Sequence, residues 1–220
     1  MIEQKMQELK VMIIEYATFI EDMVSKSIYG YIKKEKELLK KVIEINEKKA
    51  NKYEIDIEKF CTYFLAQYDP KAIDLRTILM ILKINNDLER IADHAVNIGE
   101  SALYLIDNPQ IEVPDILKKN AENVVDMLNL AIKSFINQDI KLAETIEKKD
   151  DIIDAYHRDT LEQVIELMKN NSSIVKQSVN VIRISNNLER IADLITNIAE
   201  DIIYIFEAKI TKHHYNDLEK

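Results

Sequence analysis

Turn-forming residues are scarce in this 220-residue chain, which contains two glycines and three prolines. Average proteins contain roughly 12% glycine and proline together. So few glycines exclude the glycine-rich loops of α/β enzymes and any nucleophile-elbow motif. We therefore expect long helices and few loops.

Cysteine and long apolar runs are also nearly missing. The single cysteine, Cys61, cannot form an internal disulfide, and its position between Phe60 and Phe64 indicates a small core residue. No apolar stretch approaches the roughly 20 residues needed to span a bilayer. The first residues contain no secretory signal. The prediction is a cytoplasmic protein that does not insert into the membrane.

The chain is rich in hydrophobic and charged residues. Hydrophobic residues make up 47% and charged residues 31%, which is typical of long amphipathic helices. Thirty basic against thirty-nine acidic side chains give a formal net charge of −9. This negative charge disfavours nucleic acid and anionic membrane surfaces as partners.

An internal repeat divides the chain into two halves. Residues 85–100 read NNDLERIADHAVNIGE and residues 185–200 read SNNLERIADLITNIAE, with ten of sixteen positions identical. The same offset of 100 residues aligns EKK at 47–49 with EKK at 147–149. A duplicated unit of about 100 residues follows.

Breaks between helices are predicted where turn formers occur, including Gly30–Tyr31 and the segment from Asn108 to Pro114. Asp69 and Pro70 are expected to cap and begin a helix. Long helices with short connections pack antiparallel, so the predicted fold is all-α, with two tandem three-helix bundles over 1–108 and 114–210. The expected helices are 2–29, 33–68, 70–107, 114–137, 139–170 and 173–208.

A polar stripe follows the repeated motif. With about 100° per residue, Asp93, Asn97 and Glu100 fall within about 80° of Glu89, roughly opposite the apolar residues. The same holds for Glu189, Asp193 and Asn197. One such stripe favours an ordinary solvated face. Like charges at i, i+4 repel, however, and both copies keep them, which favours a cation held by several oxygen ligands.

The preceding helix adds acids to the second half. Asp150 and Asp154 are again four residues apart, whereas Ala50 and Glu54 stand at the equivalent positions of the first half. The second half therefore has the richer set of oxygen ligands. An all-oxygen site admits magnesium, calcium, manganese, iron or zinc.

Arginines and histidines give weaker signals. Arg90 and Arg190 are repeat mates, and we interpret both as ion-paired with carboxylates of an adjacent helix in preference to binding an anion. Asp74 and Arg76 occur in the first half only and suggest a partner-binding face used by one half. The histidines show neither zinc-hydrolase nor di-iron spacing. The polar tail that contains His213 and His214 is expected to be solvated.

The doubled motif L-E-R-I-A-D-x-x-x-N-I-x-E resembles the PhoU family, over essentially the whole chain. D-P-K-A-I-D-L-R precedes the first copy, and E-K-K-D-D-I-I-D precedes the second. The resemblance implies two tandem three-helix bundles, frequent homodimers and no catalytic activity. It also implies association with the ATPase of a phosphate ABC transporter and with a phosphate-sensor histidine kinase, both held repressed when phosphate is plentiful.

The resemblance further implies metal clusters of iron or zinc, held by Glu/Asp-x-x-x-Asp motifs on the outer surface, while the all-oxygen donors also admit magnesium or manganese. Here these motifs fall on three pairs, Glu89 with Asp93, Glu189 with Asp193, and Asp150 with Asp154. Two other functions stay open: a metal-free helical adaptor whose acidic stripes dock on basic protein surface, and a relative serving a different ion transporter.

Overall fold

The structure is a computed structural model that describes residues 2–108 and 111–208. Within these ranges the chain is helical and contains no β-strand. The all-α prediction is confirmed. The helices are α1 Ile2–Lys33, α2 Lys36–Lys41, α3 Glu47–Gln67, α4 Ile73–Asp107, α5 Asp115–Asn137, α6 Ile140–Asn170 and α7 Val175–Glu207.

The first predicted break is wrong, because α1 continues through Gly30 to Lys33. The chain turns at Lys34, whose φ is 58°, and the Glu35 amide donates to the Gly30 carbonyl at 2.8 Å. A Cβ on Gly30 would lie 2.7 Å from Leu39 Cδ2. Gly30 is therefore needed for close packing after the turn, and it does not end the helix.

The second predicted helix is interrupted by a π-helical segment at Val42–Asn46, which lies between α2 and α3. The start of the next helix also differs from the prediction. Asp69 does not cap it, because its carboxylate lies 3.3 Å from the Lys71 ammonium and α4 begins only at Ile73. The residue before α4, Ala72, has a φ of 49°.

The second half follows its predicted turns more closely. Gln138 has a left-handed φ of 55°, and the Asp139 carboxylate accepts a hydrogen bond from the Leu142 amide at 3.1 Å. This is an N-cap for α6. Asn171 begins a short 3₁₀ turn at Ser172–Ile174 before α7. His213, His214 and the last residues of the predicted range 114–210 lie outside the described residues.

Buried residues confirm the apolar faces that the periodicity predicted. On α1 the fully buried side chains include Leu9, Tyr16 and Ile20, and on α4 they include Ile91 and Ala95. Cys61 is buried too, and burial raises the pKa of its thiol to about 12. It is an inert core residue, as predicted.

The two halves share one continuous hydrophobic core. α1, α3 and α4 pack together in the first half, and α5, α6 and α7 in the second. The most extensive contact joins α4 to α7. Lys83 pairs with Asp201 and His94 with Asn187, so these two helices run antiparallel. Within the described ranges, no helix is both long and apolar enough to cross a membrane.

Candidate functional site

The first acidic cluster consists of Glu54 on α3 with Glu89 and Asp93 on α4. These helices pack against each other, which brings the three carboxylates within electrostatic reach. Burial raises the pKa of Glu54 and of Glu89, and the neighbouring carboxylates raise both further. The charges of this cluster therefore repel one another across two helices, and a bound cation would offset that repulsion.

The second acidic cluster consists of Asp150 and Asp154 on α6 with Glu189 and Asp193 on α7. Burial raises the pKa of Asp150 to about 7, and the carboxylates of Asp154 and Asp193 contribute to the shift. The pKa of Glu189 and that of Asp193 are also raised, chiefly by burial. Asp150 Oδ1 is buried and makes no hydrogen bond.

Both clusters fit a hard cation in the chemistry of their donors, and the unpartnered Asp150 oxygen fits as well. Their side chains do not yet surround a common point. Among residues 2–108 and 111–208, no three Asp, Glu, His or Cys side chains are gathered into a metal-binding group. Several carboxylates could therefore coordinate one ion directly only after their side chains change rotamer.

The predicted amide ligands lie further along the same stripes. Asn97 and Asn197 are half-buried, four residues beyond Asp93 and Asp193. On the opposite side of α4, Leu88 and Ile98 are buried, as the helical periodicity predicted.

The arginines pair within their own helices, so the predicted pairing with an adjacent helix is wrong. Arg90 Nη1 lies 3.5 Å from Asp87 Oδ1. Arg190 lies 3.6 Å from the Glu189 carboxylate and 3.8 Å from that of Asp193. Arg190 therefore partly neutralises the second cluster, because a guanidinium stabilises ionised carboxylates. Both arginines are more than half exposed.

Asp74 and Arg76 lie at the start of α4, away from the acidic clusters. Asp74 lines an open hollow of about 450 Å³ together with Ile2, Glu3 and Lys10 of α1. Arg76 Nε is buried and makes no hydrogen bond. The structure therefore assigns these two residues to the end of the first half, where α1 and α4 meet.

Two histidines border the second cluster, and the sequence analysis did not associate them with it. His94 Nδ1 lies 2.8 Å from Asn187 Oδ1, and its proximity offsets part of the increase that burial causes in the pKa of Asp193. His157 Nδ1 lies 2.8 Å from Ser185 Oγ and offsets part of the increase in the pKa of Glu189. His94 belongs to the first half, so no spacing within one repeat could have revealed its position.

The first cluster has two further neighbours that the sequence analysis missed. Asn85 is four residues before Glu89, and its Nδ2 donates to the Glu54 carbonyl at 3.0 Å. The i, i+4 spacing could have identified it. Tyr16 comes from α1 and lies near all three acids of the cluster. No motif in the sequence connects α1 with the acidic stripe.

Comparison with known proteins supports one family. The PhoU domain model matches residues 13–102 and 117–202, one match in each half. A phosphate-specific transport system accessory protein PhoU homolog from Aquifex aeolicus is 32% identical over 212 residues, which cover 96% of each chain.

Two solved structures have the same fold. PhoU from Pseudomonas aeruginosa superposes with a TM-score of 0.89 at 26% identity and covers 95% of this chain and 100% of its own. The phosphate transport system regulatory protein PhoU from Streptococcus pneumoniae gives 0.90 at 27% identity, with 96% and 100% covered. With both halves matched by the family and the fold shared along the whole length, this chain belongs to the PhoU family.

Proposed function

We propose that this protein is a non-enzymatic accessory regulator of phosphate uptake and phosphate-dependent signalling. The match of both halves to the PhoU domain is the observation that carries the proposal. A relative covering 96% of the chain is named as an accessory protein of a phosphate-specific transport system. The partners we propose are the ATPase of a phosphate ABC transporter and a phosphate-sensor histidine kinase, to which a homodimer docks from the cytoplasmic side.

Deletion of the gene tests this function. In the deletion strain, phosphate-regulon expression should remain high in phosphate-rich medium, and the wild-type gene should restore repression. Unchanged expression after deletion would contradict the proposal. Pull-down with the transporter ATPase and the kinase tests the docking partners separately.

Docking has candidate residues of its own. Asp74 and Arg76 lie at the start of α4, and Arg90 and Arg190 project more of their side chains into solvent than into the protein. Charged groups at a rim mainly affect partner choice and association rate. Arg190→Ala should therefore weaken capture of a partner, and exposed Arg158→Ala is the matched control.

Metal binding is the second element of the proposal. The acidic clusters would hold divalent or trivalent ions, with iron or zinc the first candidates. Two observations support this: the doubled i, i+4 carboxylate pairs, and the pKa of Asp150, which burial and then the neighbouring carboxylates raise. A bound cation would favour the ionised form of this carboxyl group. A bound ion would supply positive charge that fixes α6 against α7 and α3 against α4.

Elemental analysis of protein purified without chelator tests this element. Glu189→Ala with Asp193→Ala should lower the metal content, whereas Glu162→Ala with Glu166→Ala should not. The control pair has the same i, i+4 spacing on α6, and both of its side chains are exposed. Equal metal content in the two double variants would exclude Glu189 and Asp193 as ligands.

A metal-free adaptor is the second candidate function, because the described residues contain no gathered set of metal ligands. In that case the acidic clusters would dock on basic protein surface. Chelator would then leave the melting temperature unchanged, whereas removal of a bound ion should lower it.

A further inference from the structure

Tyr16 is a fully buried residue whose hydroxyl has no hydrogen-bond partner. Its side chain is 0% exposed, and its ring stacks on Tyr53 of α3 with the ring centroids 5.4 Å apart. A buried hydroxyl without a partner is destabilising and is rare in native proteins. Tyr16 therefore requires a specific explanation.

The surroundings of the hydroxyl are the acids of the first acidic cluster. Glu54, Glu89 and Asp93 all lie close enough to raise the pKa of the Tyr16 phenol further, although burial is the main cause of its increase. The ring stack with Tyr53 holds Tyr16 against α3, the helix that carries Glu54. Tyr16 therefore borders the acidic cluster from the core side.

A second unpartnered oxygen lies at the same place. Asn85 is 3% exposed, and its amide nitrogen donates a hydrogen bond to the backbone carbonyl of Glu54. This bond leaves Asn85 Oδ1 buried with no partner. Two polar side chains more than nine-tenths buried, one from α1 and one from α4, therefore border the helix segments that carry the first acidic cluster.

The equivalent position of the second half shows the same feature. The Glu35 amide donates to the Gly30 carbonyl at 2.8 Å, and the Asp139 amide donates to the Ser134 carbonyl at 3.0 Å. These matching turns align α1 with α5 at an offset of 104 residues. Tyr16 then corresponds to Asn120, which is also 0% exposed and has neither amide atom hydrogen-bonded.

Unpartnered polar groups at equivalent positions of both halves indicate that their hydrogen-bond partner is not part of the protein chain. Hydrated cations supply such partners, because their bound waters donate hydrogen bonds and their ligand carboxylates accept them. The first half also lacks the acid that Asp150 provides in the second, since Ala50 stands there. An additional oxygen is needed in the half where Tyr16 supplies one.

We propose that the Tyr16 hydroxyl is the core-side contact of the ion site in the first half, where it hydrogen-bonds the water or carboxylate shell of a hard cation. Tyr16 is a positioning residue that holds the shell of the ion. The proposal rests on metal binding by the acidic clusters, as given under Proposed function.

Titration with Mn²⁺ tests the role of Tyr16, with free Mn²⁺ measured by electron paramagnetic resonance. The background carries Glu189→Gln and Asp193→Asn, so that binding reports on the first cluster. Tyr16→Phe removes only the hydroxyl and should weaken Mn²⁺ binding by about 10- to 100-fold, the usual effect of losing an outer-shell partner of a metal site.

Tyr31→Phe is the matched control. The Tyr31 hydroxyl is likewise buried without a partner, but burial alone raises its pKa, with no carboxylate contributing. Both phenylalanine variants should leave the metal-free protein at least as stable as the background, because each removes an unsatisfied buried group. Only Tyr16→Phe should weaken Mn²⁺ binding.

The outcomes separate this inference from the proposal that it depends on. Equal Mn²⁺ affinity of Tyr16→Phe and Tyr31→Phe, with binding abolished by Glu89→Gln and Asp93→Asn, would overturn the role of Tyr16 alone. Mn²⁺ binding that is missing from the background, or unaffected by Glu89→Gln and Asp93→Asn, would overturn both the ion site and the role of Tyr16.

Discussion

At the scale of single residues, the acidic clusters place carboxylates where their ionised forms are unfavourable. Asp150 is the strongest case, because burial and four neighbouring acids raise its pKa to about 7. Asp151, the next residue, is exposed. Two adjacent aspartates in one helix thus differ in energy because one points towards α7 and the other towards solvent.

This difference gives a pH dependence of stability for the metal-free protein. Asp150 has a pKa near 7 in the folded state and about 4 when unfolded. The unfolded state therefore releases the proton first, and stability is lost as the pH rises from about 4 to about 7. Solvent screening of this half-buried group reduces the loss to about 1–2 kcal/mol.

Asp150→Asn should remove this loss, so the variant should be more stable than the unaltered protein at pH 8 and similar at pH 4. Urea unfolding in the presence of chelator measures the difference. Asp151→Asn is the control and should keep most of the pH dependence, because burial is the main cause of the raised pKa of Asp150. Parallel pH profiles for all three proteins would contradict the assignment to Asp150.

At the scale of helices, the turns that connect them show where a local sequence pattern is sufficient to predict the structure. Asp139 caps α6, and Gln138 adopts the left-handed turn that precedes it, at the boundary predicted between the helices 114–137 and 139–170. Gly30 shows where a local pattern is not sufficient. A glycine near a turn usually marks a helix end, but Gly30 is helical and is needed by Leu39, which packs on it from the next helix.

Gly30→Ala should therefore destabilise the protein by about 1–3 kcal/mol, because the added methyl would overlap the fully buried Leu39 side chain. Gly99→Ala is the control. Its Cβ would lie 3.4 Å from Ile43 Cγ1, and alanine favours a helix interior by up to about 1 kcal/mol. Gly99→Ala should be neutral or stabilising in thermal unfolding. Equal effects of the two substitutions would exclude the steric explanation.

At the scale of the whole molecule, the two repeats form a single packed unit through α4 and α7. A partly buried ion pair lies at this interface. Lys83 Nζ is 2.6 Å from Asp201 Oδ1, and the Asp201 side chain is 1% exposed. The equivalent residues of the other repeat are Arg183 and Ser101, so only one of the two related positions carries this pair.

Lys83→Met should destabilise the protein by about 1–3 kcal/mol, because it removes the cation from a buried carboxylate while Lys83 itself is partly exposed. Adding Asp201→Ser should recover much of the loss, which a double-mutant cycle by denaturant unfolding would measure. Lys36→Met removes an exposed pair with Asp107 and should cost less than about 1 kcal/mol. Additive effects of Lys83→Met and Asp201→Ser would show that the pair does not couple the halves.

Much of this architecture could be predicted from the sequence. The scarcity of glycine and proline determined long helices, and the offset of 100 residues determined the duplication. Helical periodicity placed Glu89 and Asp93 on one stripe and Leu88 on the buried side. The polar and apolar stripes are local features, since they depend on the rise and the turn of one helix.

Only the tertiary structure decided which residues of different helices meet. Tyr16 reaches the acidic stripe from α1, whose alignment with α5 has an offset of 104 and not 100. His94 crosses from one repeat to the acids of the other. Contacts of this kind depend on how helix faces pack around a shared core, and the periodicity of one helix holds no information about its neighbour's rotation or register. The sequence alone determined the acidic stripes, and packing determined which buried polar groups lie beside them.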